Sequence, residues 1–237
     1  MANHAIRRAK QHRDLSITFK SIDPKDLTLV CHSDAAWANV GSHTQAGYVV
    51  AFCEKSLQDG KVSKWCPAAW RSYRLPRAVS STLAAEAQAL ATATGTVEWL
   101  ALLMSEILDG PIPARQCRDM LKKRPPLFIT DCKSLYDHLV SPSSPTAIED
   151  RRTSIDVIII RESAKATQAY VRWVPTAHML ADSLTKDAGE PVELLRVCLQ
   201  HAEYQISPES IVLERQADER ERRKQARNHQ KPCSEKQ

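Results

Sequence analysis

Four acidic side chains lie where an acid is energetically costly unless it is paired, protonated or bound to a cation. Asp34 ends the strand-like run LTLVCHSD, and Asp131 directly follows the apolar run LFIT. Asp182 follows HMLA, shortly after the last strand-like run. Glu86 lies in a long Ala- and Leu-rich segment. The positions that share its helical face are all apolar, namely Leu90, Ala93, Val97, Leu100 and Met104.

Clustered carboxylates repel one another, and a divalent cation can neutralise them. Oxygen ligands with few competing His or Cys neighbours suit Mg²⁺ or Mn²⁺ better than Zn²⁺. Two such ions about 4 Å apart stabilise the attacking and leaving oxygens when a phosphodiester is cleaved. The placement of the four acids therefore predicts two-ion phosphodiester hydrolysis.

Two of these acids also have simpler explanations. Asp34 could be an ordinary turn former at the end of a strand. Glu86 could lie at the edge of the apolar stripe and reach solvent. Both alternatives stay open at this point, because only convergence of the acids in space would favour a metal site.

The sequence pattern predicts the elements that must position the acids. Three strand candidates separated by turn residues indicate an antiparallel meander, and a long helix with Ser and Thr at its start follows. The predicted strands are 27–34, 46–54, 62–70, 127–130 and 169–175, and the predicted helices are 80–108, 131–140, 147–165, 178–186 and 192–200. This order predicts an α/β fold with a central mixed five-stranded sheet flanked by helices.

Composition narrows the class of protein. The chain has 237 residues, of which 43% are hydrophobic, so one large domain can bury a core. The net charge of +5 permits an acidic partner such as nucleic acid without requiring one. No apolar run approaches the ~20 residues of a membrane span, and the N-terminus lacks a signal-peptide core. We expect a soluble cytoplasmic or nuclear protein that is not secreted, has reduced cysteines and has no membrane partner.

Several runs of the chain follow one another in the order of a known family. They are HSDAAWANVGSHTQAGYVV, SSTLAAEAQALATA, LFITDCKSLYDHL, RRTSIDVIIIRE and VRWVPTAHMLADSLTK. These runs resemble motifs in the ribonuclease H domain of copia-type LTR retrotransposon Pol polyproteins. The opening run is similar to the S-D-A-D-W-A and S-T-S-G-Y patterns, and the closing run to V-P-T-x-x-x-x-A-D-x-L-T-K. The resemblance covers roughly residues 5–186.

The resemblance implies a ribonuclease H-like fold and endonucleolytic hydrolysis of the RNA strand of RNA–DNA hybrids. Matched position by position, Asp34, Glu86, Asp131 and Asp182 would be the catalytic and metal-binding residues for two Mg²⁺ or Mn²⁺ ions. Asp34 would bridge both ions, Glu86 and Asp131 would bind one, and Asp182 the other. The implied partner is an RNA–DNA hybrid, and a reverse transcriptase domain of the parent polyprotein is a further candidate.

The chain departs from the family pattern at Ala36, Ala84 and Ala87, which replace an Asp, an acid and a Tyr. The first two do not match metal-ligand positions, whereas the missing Tyr could loosen packing or substrate contact. His178 lies four residues before Asp182. It is a candidate proton shuttle, with a surface helix cap as the alternative.

Another set of residues is predicted to contact the nucleic acid. Groove shape and 2′-OH groups, rather than bases, would decide recognition. The candidates are Ser33, Asn39, Arg71, Arg74, Arg77, Lys133 and Ser134. For the three arginines, an ordinary solvated loop is the alternative.

Two other functions compete with this interpretation. One is a catalytically silent nucleic-acid-binding remnant, or a domesticated retroelement fragment. The other is an integrase-like nuclease that uses Asp34, Asp131 and Glu162, although such an enzyme would not need Glu86 on a core face.

The same reasoning divides the chain into four segments. Residues 1–25 would be the tail of a reverse transcriptase connection segment, and residues 26–188 the ribonuclease H-like domain. Residues 189–207 would be a C-terminal helix, and residues 208–237 a charged tail that could be disordered.

Overall fold

Six strands form one sheet in the computed structural model of the chain. The structure describes residues 2–40, 43–142, 148–186 and 190–206, so the predicted tail over 208–237 lies outside the described residues. The strands are β1 (Leu27–Val40), β2 (His43–Glu54), β3 (Ser63–Arg74), β4 (Leu127–Thr130), β5 (Tyr170–Trp173) and β6 (Glu203–Tyr204). Their order across the sheet is β5-β4-β1-β2-β3-β6.

The pairing of the strands confirms the predicted mixed sheet of a ribonuclease H-like fold. β1, β2 and β3 pair in antiparallel fashion, whereas β4 is parallel to both β1 and β5. The sheet has six strands and not the predicted five, because the prediction did not include one short edge strand. β6 adds two residues, which pair with Ser63 and Lys64 at the start of β3.

The helices flank this sheet. They are α1 (Ala2–Gln11), α2 (Thr82–Asp109), α3 (Cys117–Leu121), α4 (Lys133–Val140), α5 (Arg151–Thr167) and α6 (Glu190–His201). The long helix begins as predicted, because the Ser81 hydroxyl accepts a hydrogen bond from the Ala84 N–H at 3.1 Å. No helix among the described residues is long and apolar enough to cross a membrane.

The helix start predicted at 178–186 does not continue as an α-helix. Two short 3₁₀ turns, Thr176–His178 and Leu180–Leu184, occupy this part of the chain. Their hydrogen bonds close over three residues, as in the bond from the Asp182 N–H to the Met179 carbonyl. The chain can therefore turn tightly over the end of the sheet instead of extending away from it.

Both faces of the sheet are covered, which explains why β1 is a continuous apolar run. Leu29 and Cys31 pack in the core that includes α2. Val30 points to the opposite face and packs in a second core that includes Leu180 and Cys198. Side chains of β1 therefore pack against α2 on one face of the sheet and against the 3₁₀ turns on the other.

The second core contains a buried histidine. His32 is fully buried, and its ring makes an edge contact with Tyr204 at a centroid distance of 5.0 Å. Neither ring nitrogen has a hydrogen-bond partner among the described residues. Burial lowers the pKa of His32 from 6.5 to about 3, so the ring is neutral in the folded protein.

We predict that His32 makes the fold sensitive to acid. The unfolded chain binds a proton on this residue below pH 6.5, whereas the folded chain resists protonation down to about pH 3. The stabilising contribution is therefore complete above pH 6.5 and is lost as the pH falls, at up to about 1.4 kcal/mol per pH unit. Urea unfolding of the wild type and of His32→Phe, between roughly pH 4.5 and 7, should show a flatter pH dependence for the variant. Parallel curves would contradict the prediction.

Candidate metal and nucleic-acid site

The register of two parallel strands brings the first two acids together. β1 and β4 pair from Val30 with Leu127 to His32 with Ile129. Asp34 and Asp131 each lie two residues beyond the last pair, at the carboxyl edge where parallel strands gather ligands. Turn formation alone therefore does not explain the position of Asp34 in β1, because the strand register also places it beside Asp131.

Asp182 completes a cluster of three carboxylates, which we call the three-Asp cluster. One oxygen each from Asp34, Asp131 and Asp182 lies within 4.8 Å of the others. Asp34 is 4% exposed and Asp182 is 1% exposed, while Asp131 is partly exposed. The 3₁₀ turn Leu180–Leu184 carries Asp182 to this point, because it follows β5 at the same sheet edge.

Glu86 approaches the same region from α2. Its side chain is buried, with 4% exposed, so the solvent-reaching alternative is wrong. The Ala35 N–H donates to Glu86 Oε1 at 3.3 Å, while Oε2 has no hydrogen-bond partner among the described residues. Glu86 is not part of the group within 4.8 Å. Burial, and then the charges of Asp34 and Asp131, raise the Glu86 pKa well above its ordinary value.

The pKa values of two Asp residues are also raised. Burial raises the pKa of Asp34 to about 7, with further increases from the Asp131 and Asp182 charges, although a hydrogen bond from the Thr185 hydroxyl opposes the shift. Burial likewise raises the pKa of Asp131, against a hydrogen bond from the Thr176 hydroxyl at 2.7 Å. These carboxyls interact closely enough to titrate as a coupled group, so protons that bind there belong to the group and not to one residue.

Sequence reasoning missed three residues that contact the three-Asp cluster. Thr176 and Thr185 donate to Asp131 and Asp34, and the Lys186 ammonium donates to both oxygens of Asp182 at 2.6 Å. Thr185 and Lys186 follow Asp182 by three and four residues, which is the spacing of neighbours in a tight turn. That spacing could have identified Lys186, whereas the contacts of Thr176 with Asp131 and of Thr185 with Asp34 join residues far apart in the chain.

The donor set fits a hard divalent cation. The site offers carboxylate oxygens, several of them deprived of solvent, and the unpartnered Oε2 of Glu86 is a buried acceptor without a donor. Such oxygen ligands suit Mg²⁺ or Mn²⁺. The Lys186 ammonium contacts Asp182 directly and also lowers the pKa of Asp131 through its charge, but among the described residues no cation contacts Asp34, Asp131 or Glu86.

Two of the predicted nucleic-acid contacts lie in other surroundings: one forms an ion pair and the other is buried. Arg77 donates to both oxygens of Asp156 at 2.7 Å, which ties the segment before α2 to α5. Ser33 is 1% exposed, so its side chain does not face a surface that a nucleic acid could reach.

The other predicted contacts lie mostly on the surface. Arg71 and Arg74 are exposed on β3, and the Arg71 guanidinium lies 4.5 Å from the centre of the Tyr73 ring. Lys133 and Ser134 are exposed at the start of α4, where Lys133 also pairs with Asp137. Asn39 lies near the end of β1, and its side chain is outside the described residues.

His178 and Glu162 lie in different surroundings. His178 is half-buried in the turn Thr176–His178, and its carbonyl accepts a hydrogen bond from the Tyr204 hydroxyl. Its role as a proton shuttle stays a prediction. Glu162 is exposed on α5 and lines a groove between α2 and α5. It does not belong to the three-Asp cluster, so the geometry disfavours the integrase-like site.

Comparison with known proteins finds similarity to solved ribonuclease H structures. RNase H1 from the archaeon Halobacterium salinarum NRC-1 is 13% identical with a TM-score of 0.44, and the match covers 66% of this chain and 93% of that one. The N-terminal RNase H domain of Rv2228c from Mycobacterium tuberculosis, solved as a fusion with maltose binding protein, is 14% identical with a TM-score of 0.42. That match covers 72% and 99% of the two chains.

A third similar structure is LC11-RNase H1, isolated from compost by a metagenomic approach. It is 12% identical with a TM-score of 0.45, and the match covers 71% of this chain and 98% of that one. No protein-family model matches the chain, and no curated protein matches its sequence significantly. At these identities and TM-scores the similarities carry no argument about activity, and the fold rests on the strand order and pairing of the chain itself.

We predict that the metal-free protein loses stability as the pH rises. The raised pKa values mean that the folded state holds protons on Asp34 and Asp131 that the unfolded state releases. The contribution of Asp34 is present below pH 3.8 and is lost as the pH rises through about 7, and that of Asp131 is lost in the same direction. In EDTA at about pH 8, Asp131→Asn should therefore unfold at a higher temperature than the wild type, because it removes one repelling charge.

Divalent cations should reverse this loss. Mg²⁺ should raise the unfolding temperature of the wild type more at about pH 8 than at about pH 5, because deprotonated carboxylates bind it better. Asp131→Asn should respond less. A wild-type unfolding temperature that does not change with Mg²⁺ at either pH would contradict a metal site here.

We predict a structural role for the pair of Arg77 and Asp156. Arg77→Met would leave the carboxylate of Asp156, whose side chain is 8% exposed, without its partner. The expected loss of unfolding free energy is about 1–2 kcal/mol, at the lower end for such pairs because the Arg77 side chain is 40% exposed. Urea unfolding of Arg77→Met, of Asp156→Asn and of the double variant measures the coupling energy between the two side chains. Purely additive losses would contradict the pairing.

Proposed function

We propose that the chain is a metal-dependent ribonuclease H that hydrolyses the RNA strand of RNA–DNA hybrids. The observation that carries this proposal is the convergence of Asp34, Asp131 and Asp182 at the carboxyl edge of the sheet, with buried Glu86 reaching it from α2. A buried set of carboxylates with raised pKa values costs folding energy, and binding of divalent cations would repay that cost. A role in fold stability alone does not explain why these acids are buried together.

In this proposal the four acids hold two Mg²⁺ or Mn²⁺ ions. Bound cations would supply the charge that stabilises the attacking and leaving oxygens of the phosphodiester. The chain itself positions the ligands: Thr185 and Thr176 each donate to one carboxylate oxygen of Asp34 and Asp131. These hydrogen bonds orient the two carboxylates within the cluster.

Arg71 and Arg74 are the proposed phosphate contacts, because both are exposed on β3, next to the strand that pairs with β1. Lys133 and Ser134 are proposed contacts on the other side, two and three residues after Asp131. Phosphate contacts of this kind bind without reading sequence, so affinity for the hybrid should fall with salt.

The order of the motifs supports an origin in a copia-type retrotransposon Pol polyprotein. In that case a reverse transcriptase domain would be a partner that holds the hybrid. The proposed activity does not depend on this origin, because the site is formed by residues within one compact unit, Met1–Ile206.

The decisive experiment is cleavage of a labelled RNA–DNA hybrid by the full chain in Mg²⁺ or Mn²⁺. Asp131→Asn should lower the rate by roughly 100-fold or more, because loss of a ligand should cost at least as much as loss of a residue that only supports one. Glu162→Gln is the matched control, since it also removes one carboxylate, and it should cleave at the wild-type rate.

The outcomes separate the competing functions. Equal loss in Glu162→Gln would favour the integrase-like site. Tight binding of the hybrid by the wild type with no cleavage in either metal would favour a catalytically silent binding module. Cleavage that persists in EDTA would overturn the metal-dependent proposal.

A further inference from the structure

Gly47 lies beside Asp34 in the sheet. The register pairs Asp34 of β1 with Gly47 of β2, and Gly47 in turn with Ser72 of β3. These three residues form a row across the antiparallel strands, and the turn that carries Asp182 lies over this row. We call residues 180–186 the closing turn, since it completes the three-Asp cluster.

The closing turn approaches the sheet where Gly47 has no side chain. A Cβ atom on Gly47 would lie 2.5 Å from Leu184 Cβ and 3.3 Å from Thr185 Cγ2. Real Cβ atoms essentially never approach another atom to 2.5 Å. Gly47 does not have a positive φ, in contrast to Gly60 and Gly110, so this position requires glycine for space and not for backbone conformation.

Ser72 holds the closing turn from the neighbouring strand. Its hydroxyl donates to the Leu184 carbonyl. The next residue, Thr185, donates its hydroxyl to Asp34, and Asp182 lies two residues before Leu184. Leu184, where the turn contacts the sheet, therefore lies between Asp182, which belongs to the three-Asp cluster, and Thr185, which contacts it.

We propose that Gly47 and Ser72 are positioning residues that set the separation of Asp182 from Asp34. Gly47 lets the closing turn descend onto β2, and Ser72 holds it there through the Leu184 carbonyl. This inference rests on the proposed function in so far as the separation matters for binding two ions. It assigns no contact with substrate to either residue.

The physical reason is that Leu184 Cβ is bonded directly to the backbone. A flexible side-chain end could rotate away from a new methyl group, but Cβ moves only with the backbone of the turn. Relieving a 2.5 Å contact to ordinary van der Waals distance requires a shift of about 1 Å. Functional groups have to be held within about 0.5 Å of their working geometry, so such a shift should weaken metal binding.

Gly47→Ala tests this inference, and Gly95→Ala is its matched control. A Cβ atom on Gly95 in α2 would meet no atom within 4 Å. Mn²⁺ binding to the full chain is measured by calorimetry, with thermal unfolding in EDTA as the check on folding. We expect Gly47→Ala to bind Mn²⁺ at least about tenfold more weakly and Gly95→Ala to match the wild type within about twofold. The Mn²⁺ concentration for half-maximal hybrid cleavage should rise in parallel for Gly47→Ala.

A second substitution separates this steric effect from general damage. Leu184→Gly removes the Cβ that Gly47→Ala would strike, so the double variant should bind Mn²⁺ more tightly than Gly47→Ala alone. Should Gly47→Ala fail to fold, Ser72→Ala decides: it removes the hydroxyl that holds Leu184, and Mn²⁺ binding should weaken about threefold.

The inference would be overturned if folded Gly47→Ala bound Mn²⁺ as tightly as the wild type. If Gly47→Ala does not fold, the same result for Ser72→Ala would overturn it. So would the absence of any Mn²⁺ binding by the wild type. The wild type could bind Mn²⁺ more tightly than Gly47→Ala and yet cleave no hybrid. That result would support the positioning role and contradict the ribonuclease function, so the two proposals can fail separately.

Discussion

Mutual repulsion among buried carboxylates is the constraint on which the rest of this structure depends. Asp34, Asp131 and Asp182 offer oxygens within 4.8 Å of one another, and a fourth acid, Glu86, is buried nearby with one oxygen unpartnered among the described residues. Like charges at this distance, with little solvent, cannot all be ionised without a compensating charge. Protons, hydrogen bonds or cations must supply that compensation.

The chain supplies part of the compensation from residues close to the acids. Thr176 and Thr185 donate hydroxyl hydrogens, and Lys186 places an ammonium group against Asp182. The pKa values of Asp34, Glu86 and Asp131 are nevertheless raised, by burial first and by neighbouring carboxylate charges second. The remaining electrostatic cost is the physical basis for proposing metal ions, because among the described residues no cation contacts any of these three acids directly.

The sheet makes this costly arrangement possible by being apolar on both faces. One core packs β1 against α2, and the other packs it against the closing turn and α6. Burial of this apolar surface stabilises the fold, and it also holds Glu86 and Asp182 on opposite sides of the same strand end. The Arg77–Asp156 pair adds a link between the segment before α2 and α5.

Much of the fold could be predicted from local patterns. Hydrophobic periodicity and the Ser81 cap were sufficient for α2, and the apolar runs were sufficient for β1, β2 and β4. The errors lie where tertiary contacts override local propensity. The segment 178–186 was predicted to be a helix but forms 3₁₀ turns, and β6 is too short to be recognised without its partner strand β3.

The sequence by itself determined which residues are candidates for chemistry, because an acid next to an apolar run is visible in the order of residues. Only the tertiary structure decided which candidates meet. The parallel register placed Asp34 beside Asp131, and pairing with Asp156 gave Arg77 a structural contact. Distances between residues far apart in the chain depend on packing, and space for the closing turn over Gly47 is a property of packing alone.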